Sequence, residues 1–121
     1  MEKYTHGQLE AALQMIASII SRCEKTQPEF AEGTSQHTLL KNRIKAMYIS
    51  KSLITKDNVA DKYTKEELME ALSPVSSIIS KCEKAQLKFA EDTSHHARLK
   101  GIIEAMYISR SLITDEIGNK S

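Results

Sequence analysis

The chain is 121 residues long and nearly balanced in charge, with 17 Lys+Arg against 16 Asp+Glu, and 40% of it is hydrophobic. That length and apolar content suit one modest core rather than two, and charge mixed with regular apolar spacing excludes a disordered chain. A formal charge of +1 supplies no global field for nucleic acid or anionic lipid, so such binding would need a local patch.

The longest uncharged stretch, residues 11–21, falls well short of the ~20 residues that cross a bilayer, so no membrane is expected. The N-terminus carries Glu2, Lys3 and Glu10 with no small-residue cleavage site and does not read as a signal peptide. Cys23 and Cys82 lack metal-type neighbours and read as reduced, buried thiols of a cytoplasmic protein.

Sliding the chain on itself by 59 residues aligns 3–55 with 62–114 without a gap, and 32 of the 53 pairs are identical. All aromatic residues fall into equivalent pairs: Tyr4 with Tyr63, Phe30 with Phe89, Tyr48 with Tyr107. The chain is therefore read as two copies of one unit within a single domain, 1–121.

In the first unit, Thr5 with Gln8 forms a capping box, as does Thr64 with Glu67 in the second, and Tyr4 with Leu9 stands at the positions of a hydrophobic staple. Leu9, Leu13, Ile16, Ile20, Cys23, Gln27 and Phe30 then follow alternating steps of four and three, the spacing of one helix face. Their counterparts in the second unit keep that character, while the outer positions between them have changed. The pattern predicts helices over about 6–32 and 65–91. Pro28 is expected to end or bend the first of these early, and Pro74 to kink the other near Glu70.

Gly33-Thr34-Ser35 and Asp92-Thr93-Ser94 read as tight connections that cap second helices over about 36–56 and 95–115. On the first of these, Leu40, Ile44, Met47, Tyr48 and Ile54 form an apolar seam, widened by Leu39, Ala46, Ile49 and Leu53. The polar segment 56–62 is the expected linker between hairpins. One hairpin of ~50 residues buries too little to stand alone. The expected fold is thus all-α: a four-helix up-down-up-down bundle of two tandem-repeated helical hairpins with approximate two-fold symmetry. The rival is one continuous helix through the linker, giving an elongated or domain-swapped dimer. Leu39 and Arg43 become Arg98 and Ile102 in the second copy, moving the apolar member by one turn at the hairpin boundary.

No catalytic constellation emerges. Cys23 and His37 are too far apart along the hairpin to share a metal, no Glu-x-x-His pair exists, and no nucleophile elbow, P-loop or dinucleotide-binding pattern is present. No enzyme, cofactor or metal is expected. The first candidate site is an anion pocket at the start of each second helix, formed by Thr34, Ser35, His37 and Lys41 and again by Thr93, Ser94, His96 and Lys100, where free N–H groups and the helix dipole favour negative charge. The plainer alternative has the hydroxyls as caps and His37 stacked on Phe30. A basic stripe of Lys41, Arg43, Lys45 and Lys51 could meet phosphates, but Ile102 and Glu104 dismantle it in the second copy, so nucleic acid is not expected. The second candidate site is a partner-binding surface at Tyr48, Lys51, Tyr107 and Arg110, within the repeated Ala-Met-Tyr-Ile-Ser, bordering a groove between the two second helices. The leading expectation is a small cytoplasmic protein-interaction or assembly module whose partner is another protein or a second copy of itself. The alternative is a binder of a small anion or nucleic acid.

Overall fold

The computed structural model describes residues 3–56 and 62–120. The linker centre, and with it the continuous-helix alternative, lies outside the described residues. Four α-helices and no strand are found among those residues, an arrangement consistent with a helical bundle: α1 (His6–Thr26), α2 (Ser35–Thr55), α3 (Lys65–Gln86) and α4 (Ser94–Asn119). No helix is long and apolar enough to cross a membrane.

Both capping boxes form. Thr5 Oγ1 accepts from Gln8 N at 3.1 Å while Gln8 Oε1 accepts from Thr5 N at 2.8 Å, and Thr64 and Glu67 repeat the exchange at 3.1 and 3.0 Å. Two orphan N–H groups are thereby satisfied at each start.

Helices α1 and α3 both end sooner than the apolar spacing implies. After Thr26 the chain tightens into a 3-10 turn, Gln27–Glu29, with Pro28 inside it. Proline is not the sole cause, because α3 stops at Gln86 with Leu87 in that place. Phe30 N–H reaches Gln27 O and Phe89 N–H reaches Gln86 O, both at 3.1 Å; Thr34 and Thr93 then close back on Ala31 and Ala90. What the copies share is the Phe-Ala-Glu-x-Thr-Ser segment, which turns the chain over more residues than the tight connection expected at 33–35. Gly33 takes part with a φ of 89°, a left-handed conformation that costs glycine little. Farther back, α3 runs unbroken through Pro74, which is buried.

The stripe on α1 and α3 is sound as far as the cysteines. Ile16, Ile20 and Cys23 are buried, with Leu68, Val75 and Ile79 likewise, whereas Phe30 and Phe89 lie beyond the helix ends and are exposed. Helix α1 packs against α2 and α4, and α3 packs against the same two; α2 and α4 also touch, while no Cα pair of α1 and α3 comes within 8 Å. The buried faces of α2 and α4 carry small residues, Ala46 and Ser50 on one and Ala105 and Ser109 on the other. Each serine returns its hydroxyl to the carbonyl four residues earlier, at 2.8 and 2.9 Å, so neither leaves a polar atom unpaired. Tyr48 is turned outward and is 40% exposed, against its expected place in the apolar seam.

Candidate functional site

At the head of α2, Thr34 Oγ1 accepts from His37 N at 3.2 Å and donates to Ala31 O at 2.7 Å. Thr93 at the head of α4 does the same with His96 N and Ala90 O. Each hydroxyl is engaged in both directions as a cap, and Ser35 donates to Gln36 Oε1 rather than facing an open pocket. Lys41 and Lys100 are exposed and stand two turns into their helices, roughly 10 Å along the axis from the capping threonines. His37 and His96 are half-buried, and His96 O accepts from Gln86 Nε2 at 3.3 Å. The expected stack of His37 on Phe30 is replaced by a stack in the second copy, Phe89 on His95, with centroids 4.9 Å apart. Position 95 corresponds to Gln36, so the first copy has no ring to offer there.

The tyrosine surface is more fully built. Tyr48 Oη donates to Glu24 Oε2 at 3.0 Å, and Tyr107 Oη donates to Glu83 Oε2 at 3.2 Å, the same contact 59 residues on. The hydrogen bond to the Glu24 carboxylate holds the Tyr48 phenol above its ordinary pKa, because ionisation would remove the proton that makes that bond; desolvation and the nearby negative charge add to it. Tyr48 and Lys51 line a shallow groove with Ser21, Glu24 and Lys25 of α1. Tyr107 and Arg110 line another with Lys3, Tyr4 and Asp115, and the guanidinium of Arg110 lies 4.7 Å above the Tyr107 ring. These grooves lie on the outside of the helix pairs. Where a groove between α2 and α4 was expected, the two helices are in contact with each other.

The basic stripe does not survive as one face. Lys45 Nζ is paired with Glu67 Oε2 of α3 at 2.9 Å, and Arg43 is turned inward. Among the described residues no group of three His, Cys, Asp or Glu side chains gathers as a metal site would require. Cys23 is buried, whereas Cys82 is half-buried, more open than expected. Burial pushes both thiols above their ordinary pKa, and the positive charge of Arg43 pulls each partway back. The inward Arg43 is the feature that sequence reasoning missed; its replacement by Ile102 in the second copy was the available signal.

Comparison with known proteins adds no relative: no family model, curated protein or solved structure matches the chain.

Proposed function

We propose that this chain is a small non-catalytic interaction or assembly module of the cytoplasm, made of two copies of one helical hairpin in up-down-up-down order about an approximate two-fold axis. The reciprocal contacts between copies support that arrangement: Lys3 Nζ donates to Ser111 Oγ at 2.6 Å and Lys62 Nζ to Ser52 Oγ at 3.3 Å, two pairs that exchange under the 59-residue offset. The observation that carries the functional reading is the repeated, exposed tyrosine held by a glutamate beside basic residues. A tyrosine needed only for packing would be inside; here the hydrogen bond fixes an aromatic ring at the surface, where it offers a partner area at little entropic cost. Lys25 and Lys51 beside it favour a partner surface with negative charge.

A photo-crosslinking side chain placed at position 48, at 107 or at the exposed Ala97, which lines neither groove, tests this. Positions 48 and 107 are expected to capture the same protein, in amounts reduced at least tenfold by Lys51→Glu with Arg110→Glu. Equal capture from position 97, or capture indifferent to the two charge reversals, overturns the reading.

A further inference from the structure

Nε and Nη2 of Arg43 are buried and have no hydrogen-bond partner among the described residues. These two nitrogens form one edge of the guanidinium, and their N–H bonds run parallel as the fork that grips two oxygens of a carboxylate, phosphate or sulfate. A buried charged donor left unmatched is costly, so such an edge needs a reason. Packing does not supply one. The equivalent position is Ile102, which packs against the apolar core, so this layer is built equally well with a hydrocarbon side chain.

Among the described residues no carboxylate pairs with this edge. The ion pairs among the described residues are Lys3 with Asp115, His6 with Glu10 and Lys45 with Glu67. The groups nearby on the flanking helices are the thiols of Cys23 on α1 and Cys82 on α3: both feel the Arg43 charge, and Cys23 is close enough for its sulfur to accept from the guanidinium. A neutral thiol is a weak acceptor and cannot match two guanidinium donors. Arg43 and Cys82 are each only half-buried as residues, so the layer lies near the surface, while the two nitrogens themselves are closed from solvent and an anion reaches them as the side chains around them part.

We propose that the buried edge of Arg43, in the layer it shares with Cys23 and Cys82, is the binding point for a small oxyanion that presents two oxygens, a carboxylate or a phosphate-like group. This site is separate from the capped starts of α2 and α4 and does not depend on the partner surface proposed above. It also accounts for the asymmetry between the copies: the second half, with isoleucine, forms no such fork.

The test uses the whole chain titrated with formate, inorganic phosphate or sulfate at constant ionic strength set with chloride. The Arg43 Nε–H resonance is followed by NMR and Tm by circular dichroism. A saturable movement of that resonance with a parallel rise in Tm is expected, both abolished in Arg43→Ile. Arg43→Lys, which keeps the charge but loses the fork, is expected to weaken the response at least tenfold and serves if the isoleucine variant fails to fold. A stationary Nε–H resonance overturns the proposal, as does a Tm rise that persists in both variants. Equal movement with chloride overturns the assignment to an oxyanion. Shifts confined to the amides of His37 and His96 would place the anion at the helix starts and also overturn it.

Discussion

Two buried or half-buried thiols and one inward guanidinium give the core a titratable layer. Burial raises the pKa of Cys23 and Cys82, so the folded chain keeps both protons where the unfolded chain has begun to lose them. The unfolded state then binds fewer protons, and stability falls with rising pH. This contribution is undiminished below the unfolded thiol pKa, about 8.5, and declines as the pH climbs from there toward the raised folded values. Urea midpoints measured from neutral pH to about pH 10 are expected to drop across this window, and to drop less in Cys23→Ala with Cys82→Ala. The positive charge of Arg43 limits the decline, since it favours the thiolates that burial disfavours. Replacing Arg43 by isoleucine should therefore steepen it.

The buried faces of α2 and α4 carry small side chains at four positions, Ala46, Ser50, Ala105 and Ser109. Ala105→Leu would force three more carbons into a position that is only 1% exposed. The expected cost is about 1–3 kcal/mol, read as a lower urea midpoint, whereas leucine at the exposed Ala11 should leave the midpoint nearly unchanged. Helix starts and the inward stripe as far as Cys23 and Cys82 were legible from sequence because capping and period-3.6 burial are local rules. The helix ends were not. Apolar spacing runs on to Phe30 and Phe89, and nothing in that spacing registers that the chain has already turned at Gln27 and Gln86. The burial of Ser50 and Ser109 was hidden for a related reason: a serine reads as polar until its hydroxyl is seen returning to its own helix. Of the candidate sites, the tyrosines and their basic neighbours were singled out from the repeated segment, but not the Glu24 and Glu83 carboxylates that accept from them. The inward turn of Arg43 was not, because a charged residue at a boundary position reads as solvated.

The helix arrangement decides what the two cysteines can do. With α2 and α4 on the short diagonal, α1 and α3 are held apart, and no Cα of one lies within 8 Å of a Cα of the other. A disulfide requires Cα atoms about 4.4–6.8 Å apart, so Cys23 and Cys82 cannot join in the folded chain however strong the oxidant. Treatment with diamide in native buffer is expected to leave the chain with two free thiols by mass and with unchanged mobility on a non-reducing gel. The same treatment in about 8 M urea should close the loop readily, because in the unfolded ensemble the closure cost grows only with the logarithm of loop length. Rapid formation of the intramolecular bond under native conditions would mean that α1 and α3 meet, and would exchange the long diagonal for the short one. The contact of α2 with α4 could not then hold beside it, since a four-helix arrangement closes across one diagonal at the expense of the other.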